Sequence, residues 1–237
     1  SPGVQVPGAG VVPRPAPPKT VARLDAFPGG EMDWDLSLGL EFAGAKGSLT
    51  LAKDSPEAGM SSLKLSGDFT EGGAYVAAMK DLAPLPLSDL DAVHLRYKTD
   101  DVGVVTIRLV DSTGQTHQRR GLKITADGQW HELVIKPAQI VGGDRWGGAK
   151  DGKWHGPANG VFVGIGTYSH PQKKQLSLLL GDIRAEGPAG EARPPQRKGD
   201  DKVQLASTLL TAEPAELKAR PEFGFDITYR WQAEPLD

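Results

Sequence analysis

The chain has 237 residues, 38% of them hydrophobic, no cysteine, and 27 Lys and Arg against 30 Asp and Glu for a net charge of −3. That length buries a sizeable core without staples; the missing cysteines exclude disulfides, thiolate zinc sites and a cysteine nucleophile; the near balance of charge leaves no bulk electrostatic case for a nucleic-acid or anionic-membrane partner. The longest apolar runs, VFVGIG and LSLLLG, are too short to span a bilayer as a helix.

No basic, apolar and small-residue leader opens the sequence, and its abrupt start fits a chain from which a leader or upstream domain has been removed. Residues 1–19 carry Pro or Gly at nearly every other position, which suits neither a central strand nor a helix, so this stretch reads as an extended linker. From Thr20 the character changes. Short alternating runs follow one another, TVARLDAF, DLSLGLEF, GSLTLAK, MSSLKLSGDF, AYVAAMK, DAVHLRYKT, VGVVTIRLV, THQRRGLKI, QWHELVIKP, NGVFVGIGTY and KQLSLLLGDIRA, separated by Gly, Asp, Ser and Pro clusters. Their 8–12-residue spacing predicts an all-β, antiparallel two-sheet sandwich over 20–187.

Alternation assigns the faces. Val93, Leu95 and Tyr97 fall on one side of their run with His94, Arg96 and Lys98 on the other; Val105, Ile107 and Leu109 oppose Thr106 and Arg108. Trp130, Leu133 and Ile135 share a face only across a bulge, so a bulge is expected there with Trp130 in the core. Residues 188–202 have linker composition. In 203–237 Phe223, Phe225, Ile227, Tyr229 and Trp231 alternate strictly, as in a packed β tail or the start of a further β-domain, because two strands alone do not bury such a row.

The ordered set LDAF (24–27), AGMSSLKLSGDF (58–69), DGQWHELVIKP (127–137), NGVFVGIG (159–166) and LLLGDIRA (178–185) resembles the β-jelly-roll carbohydrate-binding modules with a galactose-binding-like fold. These are appended to secreted glycoside hydrolases and polysaccharide lyases. The resemblance covers roughly 20–187. It implies a jelly roll, a ligand face on the concave sheet or in edge loops, a secreted, cell-surface or periplasmic location, and neighbouring domains of a parent enzyme. It also implies a structural calcium, which takes six to eight oxygens. Asp182 matches the acidic position of the last strand, and the loop from Lys53 to Met60 offers Asp54 and Glu57. Pro28 stands where an acid is usual, so Asp25 or Glu31 is the substitute, and ordinary turn acids are the alternative.

Two ligand surfaces suggest themselves. The loop from Gly142 to Gly160 holds Asp144, Arg145, Trp146, Asp151, Trp154, His155 and Asn159 among glycines, and is longer than an ordinary sandwich connection. Sugar rings stack on aromatic planes while polar neighbours take their hydroxyls, so these are fitting parts, with Tyr168 a second platform beside a trough at Gly164 and Gly166. The competing arrangement folds both tryptophans into a minicore. The second surface is a cationic sheet face of His94, Arg96 and Lys98 with Arg108, His117 and Arg119, suited to an acidic polysaccharide. No catalytic residue is assigned, since the five histidines show no metal-binding spacing and no nucleophile elbow occurs. A non-catalytic carbohydrate-binding or accessory module is the first expectation; a structural or protein-docking sandwich and a small glycoside hydrolase or lyase are the alternatives.

Overall fold

The computed structural model describes residues 18–191 apart from 26, 29–31 and 83–84, together with the backbone of 208–220 and 224–235. The Pro/Gly-rich stretch up to residue 17, Glu31, most of the 188–202 linker and Phe223 lie outside the described residues. The chain divides into two units between Pro195 and Gln196.

In the first unit the elements run β1 (Lys19–Asp25), β2 (Asp35–Ser37), β3 (Lys46–Ala52), β4 (Ser62–Asp68), β5 (Tyr75–Asp81), β6 (Ala92–Lys98), β7 (Val104–Val110), β8 (Thr116–Lys123), β9 (His131–Ile135), a single helical turn α1 (Pro137–Ile140), β10 (Asp144–Trp146), β11 (Gly160–Gly166) and β12 (Gln175–Pro188). They form two six-stranded antiparallel sheets. Sheet A has the order β3-β4-β12-β6-β9 with β1 also on β12, and sheet B the order β10-β8-β7-β11-β5-β2. The expected all-β sandwich forms.

The 14-residue β12 organises sheet A. On one side it pairs with β6; on the other its first half, Gln175–Leu180, pairs with β4 and its second half, Ile183–Pro188, with β1. The change of partner falls at Asp182, where the ladder with β6 shifts register and φ is +42°, and the ladder with β1 shifts close by, between Arg23 and Asp25. A non-glycine residue adopts that backbone rarely, aspartate more readily than most, and a bulge is where it is tolerated.

Between the sheets lie the inward members of each alternation: Leu63, Leu65, Ile107, Leu109, Ile165, Leu178, Leu180 and Ile183 are all essentially fully buried. Each such side chain contributes about 1.5–3 kcal/mol through loss of apolar surface to water. At one end the sheets approach so closely that a Cβ on Gly67 of β4 would lie 2.8 Å from Val76 of β5. Glycine is required there because no larger residue fits.

Three expectations need correction. Trp130 is not in the core: β9 begins one residue later at His131, so Leu133 and Ile135 share the inward face without a bulge. The indole instead covers the outward side of sheet A beside Gly181, donating through Nε1 to Asp54 Oδ1 at 3.0 Å. Arg96 and Arg108 do not share a face, because β6 belongs to sheet A and β7 to sheet B. His117 leaves the surface altogether; it is 1% exposed and pairs with the buried Asp111 at 3.3 Å.

The second unit contains β13 (Thr208–Arg220) and β14 (Gly224–Pro235), paired antiparallel with a register shift between Pro214 and Glu216. Proline has no N–H for the ladder, and a bulge is where a strand accommodates it.

Candidate functional site

The outward face of sheet B gathers one residue from each of several neighbouring strands. Register places Asp144 (β10) opposite Gln118 (β8), Gln118 opposite Arg108 (β7), and Arg108 opposite Phe162 (β11). Residues level with each other on adjacent strands point the same way, so the four form a row across the sheet. They are joined head to tail. Arg108 Nε donates to Gln118 Oε1 at 2.6 Å, Gln118 Nε2 donates to Asp144 Oδ2 at 2.8 Å, and Arg120 Nε reaches the same oxygen at 2.9 Å.

Arg108 is the centre of an aromatic cluster. Its guanidinium carbon lies 3.9 Å from the Phe162 ring centroid, 5.2 Å from Tyr75 and 5.3 Å from Trp146. Tyr75 meets Phe162 edge-on at 5.8 Å and Phe42 at 6.4 Å. Each cation–π contact contributes about 0.5–2 kcal/mol, more as water is excluded. The bond from Nε to Gln118, itself 3% exposed, fixes the guanidinium plane. Around this fixed centre three rings stay open to solvent: Trp146 at 46%, Tyr168 at 42% and Phe42 at 52% exposure. The Tyr75 hydroxyl donates to Glu41 Oε1 at 2.5 Å, the first reason the Glu41 carboxyl lies below its ordinary range. The result is a rigid platform with aromatic planes, a guanidinium and two carboxylates on one face.

The residues predicted from the sequence separate accordingly. Trp146, Asp144, Arg108 and Tyr168 come together here. Gly164 and Gly166 do not leave a trough, because the Phe162 and Tyr168 rings lie over them; a Cβ would approach these rings at 2.7 and 2.6 Å. Arg145 alternates away from Trp146 along β10, and its guanidinium runs over Gly152. Asn159 is engaged through its backbone, to Val110 at 2.7 Å and Leu82 at 2.9 Å, at the start of β11. Arg96 sits on the opposite sheet.

Trp154 also turns inward. It packs against the hydrophobic core and lies 5.7 Å from the His117 ring, with Nε1 donating to Asp89 Oδ1 at 3.0 Å. The cause is a polar hub under the loop. Gln115, fully buried, donates through Nε2 to Lys153 O at 2.9 Å and accepts at Oε1 from Gly152 N at 3.1 Å, pulling that segment onto β8. Asp151 is held at about 2 rather than 3.8, first by the Lys153 backbone N–H. A carboxyl depressed in the folded state contributes stability above its ordinary pKa and loses it as pH falls through the folded value. Acidification from about pH 4 to about pH 2 is therefore expected to loosen this segment. Tryptophan fluorescence follows it, and a signal constant across that window contradicts the assignment.

The four predicted calcium ligands are each engaged otherwise. Asp182 lies 3.2 Å from both Arg23 and Arg184; Glu57 pairs with the same Arg23; Asp54 accepts Lys98 at 2.7 Å and the Trp130 indole; Asp25 accepts Phe27 N and Trp34 Nε1, both at 2.8 Å. Among the described residues no group of three or more acidic or histidine side chains converges as a metal site. As arranged, these residues do not fit calcium, since the Arg23 guanidinium bridges two of the carboxylates itself. Melting curves with and without excess chelator are expected to superpose; a lower melting temperature in chelator would mean that Arg23 gives way to an ion.

The cationic sheet face is likewise not assembled. On sheet A, His94 lies 3.2 Å from Glu186, Arg184 3.2 Å from Glu132 and Lys98 2.7 Å from Asp54, so cations and carboxylates alternate.

Two of the solved structures that match this architecture carry the comparison. One is a family 11 carbohydrate-binding module from Clostridium thermocellum in complex with a β-1,3-1,4-mixed-linked tetrasaccharide, with a TM-score of 0.51 at 16% identity, covering 72% of this chain and 97% of that one. The other is the family 11 module of the cellulosomal cellulase Lic26A-Cel5E of the same organism, with a TM-score of 0.51 at 16% identity, covering 73% of this chain and 98% of that one. The chain has the fold of these modules. No family model matches the sequence, and no curated protein does.

Proposed function

We propose that this chain is a carbohydrate-binding module, an accessory part of a secreted polysaccharide-active enzyme, and that its glycan lies on the outward face of sheet B. The observation that carries this is the Arg108 cluster: a guanidinium fixed among three rings, with exposed Trp146, Tyr168 and Phe42 around it. Exposed rings on a rigid sheet offer stacking planes whose ordering cost is already met by folding. Arg108 and Asp144 supply a donor and an acceptor for hydroxyls.

Both carboxylates at the platform are committed, Asp144 to Gln118 and Arg120, Glu41 to Tyr75. That supports binding rather than general acid–base work, which needs a carboxyl free to exchange its proton with substrate. Two guanidiniums face two carboxylates, so the balance favours an uncharged glycan over an acidic one. The fold's likeness to a module in complex with a β-1,3-1,4-mixed-linked tetrasaccharide and to a module of a cellulosomal cellulase supports an oligosaccharide ligand and an extracellular setting. Affinity electrophoresis through mixed-linkage β-glucan, xylan, galactomannan and alginate tests this. Retardation by a neutral polysaccharide is expected; free migration in all four would overturn the proposal, and retardation by alginate alone would move the ligand to the acidic class.

A further inference from the structure

We propose that the outward face of sheet A carries a second glycan-binding site, a trough floored by Ser48, Ser66 and Ser177 that takes a single uncharged polysaccharide strand. It lies on the opposite side of the sandwich from the Arg108 platform and extends the glycan-binding function to a second face.

The three serines are level with one another on β3, β4 and β12, because Ser66 pairs with both Ser48 and Ser177. Their neighbours Leu65 and Leu178 are buried in the core, so alternation turns the serines outward. None of the three hydroxyls has a hydrogen-bond partner among the described residues, where the outward residues nearer the middle of the sheet are tied into ion pairs. The rows on either side are taller. On one, Lys46, Asp68 and Gln175 stand level, with Gln175 Nε2 donating to Asp68 Oδ2 at 2.9 Å; on the other are Thr50, Lys64 and Leu179. Over the serines, against the first of these rows, lies a cavity of about 600 Å³ that Asp101 also lines. It runs across the strands and opens at β3, the edge strand of the sheet, so a long chain can enter without threading.

Ligand chemistry follows from spacing and charge. Adjacent strands are about 4.8 Å apart, so the floor presents one hydroxyl per strand at that interval. A pyranose chain laid along the row advances by about one ring per strand and presents hydroxyls that both donate and accept, as serine does. Of the charged groups that line the cavity, Lys46 is paired with Glu71 at 2.8 Å, Asp101 with Lys173, and Asp68 is held by the Gln175 amide at 2.9 Å. A charged ligand would have to break these pairs, and an uncharged one need not. The floor has no aromatic plane, so the trough binds through hydrogen bonds alone. Its dissociation constant should be roughly ten- to a hundredfold weaker than the platform's, the factor that stacking supplies.

Two sites on opposite faces give the module a capacity that one site lacks, which is to link two polysaccharide strands. The test uses the full chain in affinity electrophoresis through concentrated mixed-linkage β-glucan, xylan and galactomannan. The doubly substituted Arg108→Ala, Trp146→Ala chain is expected to keep a residual retardation, and adding Ser66→Phe and Ser177→Phe to remove it. Particles coated with the retarding polysaccharide should be agglutinated by the unmodified chain and by neither substituted pair. The proposal is overturned if the platform-substituted chain migrates freely in all three gels, or if the serine substitutions alter neither residual retardation nor agglutination. If the platform substitutions change nothing while the serine substitutions abolish retardation, the trough stands and the platform fails. Should the serine variant not fold, titrating the unmodified chain with a mixed-linkage glucan oligosaccharide must shift the amide resonances of Ser48, Ser66 and Ser177, and unshifted resonances overturn the trough.

Discussion

Replacing Trp154 with alanine is expected to cost about 3 kcal/mol of stability, the low end of the range for buried tryptophan because this ring is only half-buried. Three losses combine. The void opens against the hydrophobic core, the packing on His117 disappears, and Asp89 loses the indole N–H. His117 is then left with its partner Asp111 beneath a cavity that admits water. Chemical denaturation measures the change. Polysaccharide retardation of the variant, run well below its melting temperature, should persist; a loss of under about 1 kcal/mol, the size of an ordinary surface substitution, would mean that the ring packs on nothing it needs.

Trp146 is expected to behave in the opposite way. Its side chain is 46% exposed on a three-residue edge strand, and its recorded partner is the Arg108 guanidinium. Trp146→Ala should cost no more than about 1 kcal/mol of stability, the size of an exposed cation–π contact, and remove about 1–3 kcal/mol of glycan affinity, by analogy with stacking on nucleic-acid bases. Arg108→Ala should lose at least as much, and Arg108→Lys should not restore it, because an ammonium keeps the charge but neither the plane that lies on Phe162 nor the fixed bond to Gln118. Retained affinity in Arg108→Lys would show that only the charge matters. Unchanged affinity in both alanine variants would remove sheet B as the ligand face.

The contrast between these two tryptophans shows where the sequence stops being informative. Eleven alternating runs and their turn residues are local signals, and they suffice for a two-sheet sandwich. Which sheet a strand joins depends on pairing at long range, which alternation does not encode; hence Arg96 and Arg108, identical in local pattern, stand on opposite faces. Trp146 and Trp154 share one glycine-rich loop, and the partition between them is set by Gln115, a residue of the distant turn that leads into β8. Phe162 and Tyr75 are not legible in the sequence for a different reason. In VFVGIG and AYVAAMK both faces are apolar, so an outward ring looks like an inward one. The faint signal was in the glycines, since Gly164 and Gly166 fall on the same face as Phe162 and leave bare backbone on which the Phe162 and Tyr168 rings lie. Asp182 matched an acidic position by resemblance, but one of the arginines that engage it, Arg23, sits on the paired strand β1 and is seen only once β1 and β12 meet.

The placement of β12 governs how the sandwich comes into being. It is the last strand of this unit in sequence and the central strand of sheet A, bearing β1, β4 and β6 along its two edges. Lys19 pairs with Pro188, so the loop closed is nearly the whole unit. Sheet A therefore has no middle until residue 188 is available, and strands made earlier wait with unpaired edges. Topologies dominated by such distant pairings fold in milliseconds to seconds rather than microseconds. During synthesis the waiting edges of β4 and β6 are exposed to other chains, which makes β12 the strand whose arrival ends the period of greatest aggregation hazard.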